Sequence, residues 1–232
     1  MISECIILAG GLGTRLSSTV PGIPKCMAPV AGKPFLTYVI EYLQQQGLRR
    51  YIFSLGYKHE IIEEFLHQQY PHINAVCSVE DSPLGTGGAI RLACEKARDK
   101  NVLVVNGDTL FRIQVGPMDY LHTICDADCT LALKPMKNFD RYGVVELNPD
   151  CSIKCFREKQ FYENGNINGG IYVLKVPGFL AEDRPEKFSF EKDYLEQWDT
   201  HRRMYAVVQD EYFIDIGVPE DYARAQQELK DF

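Results

Sequence analysis

The 232-residue sequence predicts an α/β protein built on a doubly wound, Rossmann-like mixed sheet, with a second half rich in strands. Three observations predict it. Short apolar runs alternate with amphipathic stretches from the N-terminus to about residue 125. The first apolar run empties into a glycine-rich loop, and open α/β sheets place their ligands at such strand ends. After about residue 126, strands follow one another with few helices between them.

Residues 4–9, Glu-Cys-Ile-Ile-Leu-Ala, have no polar alternation beyond Glu4 and read as a parallel strand buried on both faces. Residues 10–24 are loop. Pro34 opens a helix with Phe35, Tyr38, Val39, Tyr42 and Leu43 on its apolar side, and Gly47 closes it. A strand at 51–55, a helix at 59–69 and a strand at 75–79 follow, with Ile61, Ile62, Phe65 and Leu66 forming the helix stripe. A helix at 86–98 leads to a strand at 102–105 that ends in Asn106-Gly107-Asp108. Further strands are predicted at 129–133, 143–147, 152–156, 170–174, 204–208 and 212–216, and further helices at 189–198 and 219–229. No repeat or linker interrupts the chain, so residues 1–232 read as one domain.

Composition narrows the function classes. The net charge of -7 argues against a nucleic-acid or anionic-membrane partner, and any anionic substrate must be met by locally concentrated cations. No apolar run approaches the roughly 18 residues of a membrane span. Met1-Ile2-Ser3-Glu4 offers an acid in place of a basic leader, so the expected location is the cytoplasm. Eight cysteines (5, 26, 77, 94, 125, 129, 151 and 155) without a secretion signal do not suggest a disulfide framework. The pairs 125/129 and 151/155 lack both CxxC spacing and a nearby histidine, which argues against zinc.

The densest signal is Leu8-Ala9-Gly10-Gly11-Leu12-Gly13-Thr14-Arg15-Leu16, followed by Pro24-Lys25. Glycines free backbone N–H groups to approach a phosphate; Arg15 adds a planar donor fork and Lys25 a compact charge. A dinucleotide fingerprint requires Gly or Ala where Leu16 stands, and a helix where residues 17–24 are turn-like. A P-loop is absent as well. Asp108 ends the fourth strand. Asp215 interrupts an apolar run, where an unpaired carboxylate is costly. Two such acids suit magnesium, which takes one or two carboxylates and fills its shell with phosphate oxygens and water. The histidines (59, 67, 72, 122 and 201) all lie outside these motifs. That agrees with chemistry in which a phosphate monoester, dianionic near neutral pH, attacks without a general base.

Taken together, the loop from Leu8 to Leu16 with Pro24-Lys25, Glu80-Asp-Ser-Pro-Leu-Gly-Thr-Gly-Gly88, Asn106-Gly107-Asp108, Glu158-Lys159 and Phe213-Ile-Asp-Ile-Gly217 resemble the sugar-1-phosphate nucleotidylyltransferases along essentially the whole chain. Within that family the sequence is most similar to the branch that acts on D-glycero-α-D-manno-heptose 1-phosphate, through the Glu80 segment and Asp-Ile-Gly-Val-Pro-Glu-Asp-Tyr222. The resemblance implies a nucleotidyltransferase fold of glycosyltransferase-A type. Residues up to about 125 would form a nucleotide half, and residues from about 126 a sugar-binding half. It implies that Leu8, Ala9, Gly10, Gly11, Gly13 and Thr14 contact the nucleotide, and that Arg15 neutralises the departing phosphates. Lys25 would touch the α-phosphate, with magnesium held by Asp108 and Asp215. Glu80, Gly85 and Thr86 are implied at the base, with Thr86 also a candidate helix cap. Gly143, Glu158, Asn168 and Gly169 are implied at the sugar, and Lys159 at its phosphate.

Because a carboxylate only accepts hydrogen bonds and guanine presents two adjacent donors, Glu80 favours GTP; Asp81 next to it is the alternative reader. Other readings stay open. They are a mannose-1-phosphate guanylyltransferase, a cytidylyl- or uridylyltransferase, a nucleotide-sugar sensor, and a glycosyltransferase, whose first metal-motif Asp is here Asn106. The resemblance also implies a product that feeds lipopolysaccharide or capsule assembly. Oligomeric state is open between monomer and homodimer. Phe188-Ser189-Phe190-Glu191-Lys192-Asp193 starts a predicted helix on the sugar side and receives no role.

Overall fold

The computed structural model describes residues 1–11, 20–197 and 202–230. Strand β1 (Glu4–Leu8) is followed by a 3-10 turn, Lys25–Met27, and a small hairpin, β2 (Pro29–Val30) and β3 (Lys33–Pro34). Then come α1 (Phe35–Gln45), β4 (Arg50–Leu55), α2 (His59–Gln69), β5 (Asn74–Val79), α3 (Gly85–Cys94), β6 (Asn101–Asn106), β7 (Thr109–Phe111) and α4 (Val115–Ile124). The second half carries β8 (Cys129–Phe139), β9 (Val144–Leu147), β10 (Ile153–Arg157), β11 (Tyr162–Lys175), α5 (Val176–Ala181) and a π-helical turn, Phe190–Leu195. It ends with β12 (Met204–Val208), β13 (Phe213–Asp215) and α6 (Pro219–Glu228).

The order β5-β4-β1-β6 is parallel, and the expected doubly wound sheet is present. Beyond β6 the sheet turns antiparallel: β11 lies against β6 on one side and β8 on the other, and β12 extends it from β8. The β9–β10 pair joins β11 at Ile167–Val144. Alternation along β1 explains its apolar run. Cys5 and Ile7 enter the core under α1 and α2, and Ile6 enters the core under α3 and α5. Burying each isoleucine contributes about 1.5–3 kcal/mol.

At its N-terminal end the same strand carries Glu4, which is 2% exposed. Arg50 Nη1 donates to Glu4 Oε1 at 2.6 Å, and the backbone N–H groups of Arg98 and Asp99 donate to Oε2, each at 2.8 Å. Arg50 Nη2 reaches the Lys96 carbonyl at 2.8 Å.

Several elements differ from expectation, beginning with the short strands β2, β3 and β7, which were not predicted. Helix α4 was not predicted, because Gly116-Pro117 reads as loop; in a first turn neither residue loses a helical hydrogen bond. Short α5, with Pro177 near its start, was also not predicted. Strand β11 begins at Tyr162, eight residues before its predicted start, so Asn168-Gly169-Gly170 lies within the strand. There the pairing jumps from Asn168–Leu133 to Tyr172–Leu131 around Gly170 at φ +72°, a bulge in the left-handed region that glycine enters at little cost. The helix expected at 189–198 is described only as the π turn.

Candidate active site

Chain connections leave β1 towards β4 on one side, while β6 lies on the other. At this switch the loops diverge and leave a crevice at the carboxyl ends of the strands. A cleft of about 810 Å³ opens there. Leu8, Ala9, Gly10 and Gly11 line it from β1, and Asn106 and Asp108 from β6. Close backbone approach shapes its floor. Gly107 N donates to the Leu8 carbonyl at 2.8 Å, and a Cβ on Gly107 would stand 2.8 Å from that same oxygen.

Asp108 and Asp215 are far apart in sequence, yet the antiparallel pair β13–β7 sets Asp215 opposite Thr109, and Ile216 N donates to the Asp108 carbonyl at 3.1 Å. Lys25 Nζ lies 2.5 Å from Asp108 Oδ2 and 3.6 Å from Asp215 Oδ1. Asp215 also accepts from Gly217 N–H at 2.8 Å and from the Tyr142 hydroxyl at 3.4 Å. Burial, and then the charge of Asp108, raise the pKa of Asp215; Lys25 and the Gly217 N–H oppose that shift. Two carboxylates therefore share one ammonium beside an open cleft. This oxygen-only donor set suits magnesium. No cluster of three or more metal-ligating side chains occurs among the described residues, so phosphate and water would have to complete such an ion's shell.

Glu80 lines the cleft beside Gly10 and Gly56. Its Oε2 accepts from Leu84 N–H at 3.1 Å, and Oε1 lies where a Cβ on Gly56 would meet it at 2.6 Å. Gly85, at φ +71°, begins α3 and also lines the cleft. Thr86 does not cap that helix. Its N-cap is Leu84, without a side-chain bond, and α3 already begins at Gly85. The Thr86 hydroxyl donates instead to Glu191 Oε2 at 2.7 Å and accepts from Phe190 N–H at 2.8 Å.

Lys25, Asp81, Thr86 and Asp215 complete the expected residues that line the cleft together with Lys159, which is exposed. Four sugar-side residues stand outside that lining. Gly143 packs beneath the Arg157 carbonyl, and Gly169 packs against the ring of Phe111. The Asn168 side chain closes the β11 bulge, donating to Tyr172 Oη at 2.9 Å and accepting from Gly170 N–H at 3.0 Å. Glu158 is exposed, and its carbonyl accepts from the Tyr162 hydroxyl at 3.0 Å. Gly13, Thr14 and Arg15 lie outside the described residues.

The cleft also holds residues that the sequence did not single out: Ser54, Tyr57, Arg141, Tyr142 and Glu191. Arg141 is fixed by an ion pair with Asp221, a buried acid that also meets Arg224 at 3.1 Å. The sequence signal was Arg141's place immediately before Tyr142-Gly143, but no local pattern links it to an acid 80 residues away. Lys25, Arg141 and Lys159 are the cations of the cleft lining, beside the acids Glu80, Asp81, Asp108, Glu191 and Asp215, so an anionic substrate there would need a bound cation as well.

The family model for nucleotidyl transferase matches residues 4–231, and the chain belongs to that family of enzymes. Among its relatives, a D-glycero-alpha-D-manno-heptose 1-phosphate guanylyltransferase of Aneurinibacillus thermoaerophilus is 48% identical over 229 residues, covering 99% of each chain. Its counterpart in Campylobacter jejuni is 43% identical, covering 94% of this chain and 96% of the other. The crystal structure of HddC from Yersinia pseudotuberculosis complexed with GMP-PN matches with a TM-score of 0.86 at 37% identity, over 99% of this chain and all of that one. No helix among the described residues is long and apolar enough to cross a membrane.

Proposed function

We propose that this nucleotidyltransferase is a guanylyltransferase. It joins GTP to D-glycero-α-D-manno-heptose 1-phosphate, forming the GDP-sugar and releasing pyrophosphate. The observation that carries the reading is the convergence of Lys25, Asp108 and Asp215 at the mouth of β1 and β6, in a cleft that Glu80 also lines. Near-full-length identity to two heptose 1-phosphate guanylyltransferases supports the choice of base and sugar.

The chemistry needs two polyanions held in line and little else, because the sugar phosphate is its own nucleophile. Asp108 and Asp215 would hold magnesium, which when bound supplies positive charge to the triphosphate oxygens. Lys25, held against both acids, presents an ammonium to the α-phosphate. Arg15 is proposed at the departing pyrophosphate. Arg141, braced by Asp221 and still holding free donors, and Lys159 on the rim draw in the sugar phosphate. Glu80 accepts the paired N1–H and 2-amino donors of guanine; an unmatched base would leave its charge unpaired and be rejected. Gly143 just before β9, Glu158 just after β10, and Asn168 and Gly169 within β11 are proposed beside the sugar. The enzyme is proposed to work in the cytoplasm, supplying activated heptose for lipopolysaccharide or capsule assembly.

The test is pyrophosphate release with magnesium, pairing GTP, CTP, UTP, dTTP and ATP with heptose, mannose and glucose 1-phosphates. Turnover fastest for GTP with the heptose phosphate is expected. Turnover only with CTP or UTP would remove the assignment of Glu80, and a preference for mannose phosphate would relocate the error to the sugar pocket.

A further inference from the structure

The π turn at Phe190–Leu195 is anchored far more heavily than a surface turn requires. Beneath it, Phe190 stacks on Tyr194 with ring centroids 4.9 Å apart, and Phe179 meets Tyr194 edge-on at 5.0 Å. Above the Tyr194 ring lie the guanidinium groups of Arg184 at 5.2 Å and Arg202 at 4.7 Å. These arginines also donate to the carbonyls of Asp193 at 2.6 Å and Tyr194 at 2.8 Å. Ser189 accepts from Lys192 N–H at 3.1 Å, and Ser189 N–H donates to Asp193 Oδ2 at 2.7 Å. Single π turns recur where a fold must aim a side chain, and rigid support beneath such a side chain is what recognition requires.

The side chain aimed here is Glu191, which lines the cleft. One of its carboxylate oxygens is spent. Oε2 accepts from the Thr86 hydroxyl at 2.7 Å and from the Ser189 hydroxyl at 3.2 Å, which uses both of its lone pairs. Oε1 receives no hydrogen bond from the described residues and keeps two acceptor positions. A carboxylate clamped at one oxygen and open at the other is an acceptor waiting for donors.

Its supports differ from those of Glu80. Glu80 stands beside Gly10 and Gly56, at the ends of β1 and β4. Glu191 is held through Thr86 to the start of α3, and on its own turn Phe190 meets Tyr172 of β11 with ring centroids 4.9 Å apart. Asn168 donates to the same Tyr172 hydroxyl at 2.9 Å. Burial, and then the negative charge of Glu191, push that phenol's pKa upward, which marks the carboxylate as a neighbour of the β11 bulge. The Glu191 turn therefore packs between the start of α3 and β11, the strand that carries two of the residues implied at the sugar.

We propose that Glu191 is a specificity-determining residue that accepts hydrogen bonds from hydroxyl groups of the sugar 1-phosphate, with Thr86 as its positioning partner. The inference rests on the nucleotidyltransferase reading of the cleft and adds a sugar contact to it. Its chemistry selects polyhydroxylated sugars, because an analogue lacking the donor hydroxyl leaves a carboxylate without its partner.

The test is steady-state kinetics on the full chain, using whichever sugar 1-phosphate the wild type turns over fastest, with wild type, Glu191→Gln, Glu191→Ala and Lys192→Ala. Lys192 is exposed on the same turn and lies outside the cleft lining. Expected is a rise of about tenfold or more in the KM for sugar phosphate in both Glu191 variants, with the KM for GTP within about twofold and Lys192→Ala like wild type. A panel of singly deoxygenated sugar phosphates should contain one that weakens wild type by a similar factor and Glu191→Gln hardly further. A raised KM for GTP with an unchanged sugar KM would assign Glu191 to the nucleotide and overturn the proposal. So would a lowered melting temperature with both KM values intact, which marks a structural brace. A wild type that releases no pyrophosphate with any pair would instead remove the reading on which the proposal stands, before any variant is compared.

Discussion

The two ends of β1 carry similar ingredients and put them to opposite uses. At the N-terminal end, the carboxylate of Glu4 is enclosed by one guanidinium and two backbone N–H groups. At the C-terminal end, Asp108 and Asp215 share a single lysine beside an open cleft, and burial with mutual repulsion lifts the pKa of Asp215. The first cluster has its charges matched and both carboxylate oxygens bonded, with Arg50 Nε left without a partner among the described residues, so it serves the fold. The second keeps an excess of negative charge that only an incoming cation can satisfy, so it serves a ligand. Charge left unmatched by the protein, rather than charge as such, separates a site from a staple.

The sharpest way to break the comparison is at Asp108. Asp108→Asn should lower kcat/KM for pyrophosphate release by on the order of 10³-fold while moving the melting temperature little, because the group is partly solvated and Lys25 keeps Asp215. A fall of less than about tenfold would remove Asp108 from the catalytic set. Glu4→Gln should do the reverse. Leaving Arg50 buried and unpaired should cost about 3–5 kcal/mol in urea unfolding, with the activity per folded molecule intact. Loss of activity ahead of stability would contradict the division between the two ends.

A third buried polar group extends the test to pH. His122 is 1% exposed; its Nδ1 lies 3.0 Å from Thr130 Oγ1, and its Nε2 has no partner among the described residues. Burial first, with Lys175 nearby, lowers its pKa from 6.5 to about 4. The unfolded chain therefore binds the proton before the folded one does. The stability that the neutral ring contributes is present above pH 6.5 and drains away as pH falls towards 4, by about 3 kcal/mol in all. His122→Gln should flatten that slope, as read from urea midpoints at pH 7, 5.5 and 4. A slope unchanged by the substitution would assign it to other groups. The smallest effect is expected at Arg141. Arg141→Lys keeps the charge and loses the fork held by Asp221, so the KM for sugar phosphate should rise about tenfold with the KM for GTP unmoved. An unchanged sugar KM would leave Arg141 as a strut to α6.

Sequence pattern was most informative where one physical cause acts alone. Strands β1, β4 and β6 are apolar because both faces are covered, and that pattern is visible residue by residue; the edge strand β5 is only half-buried. Helix α4 was hidden because Gly116-Pro117 means loop in most contexts and first turn in this one. Within the candidate site, Gly10, Gly11, Lys25, Glu80, Asp108, Lys159 and Asp215 were all legible as motifs and all line the cleft. Thr86 was legible as a polar residue at a helix start, but its partner Glu191 is 105 positions away. The glycine at 143 was read as room for a sugar ring, although the demand comes from the Arg157 carbonyl. Long-range pairing decides such residues, and a single sequence does not encode it in any local period.

Strand β11 ties the halves together at one joint. Downstream of the bulge, Ile171 to Lys175 pair with β6; upstream, Tyr162 to Asn168 belong to the antiparallel extension. Gly170 between them sits at φ +72°, and any Cβ there would press within 2.5 Å of the amide of Asn106, two residues from Asp108. On the proposed reading, change in the extension would alter which sugar is accepted while the Asp108 end of the cleft keeps its β6 framework. The joint itself has almost no mutational freedom, so a side chain placed at residue 170 should leave protein that is inactive or does not fold.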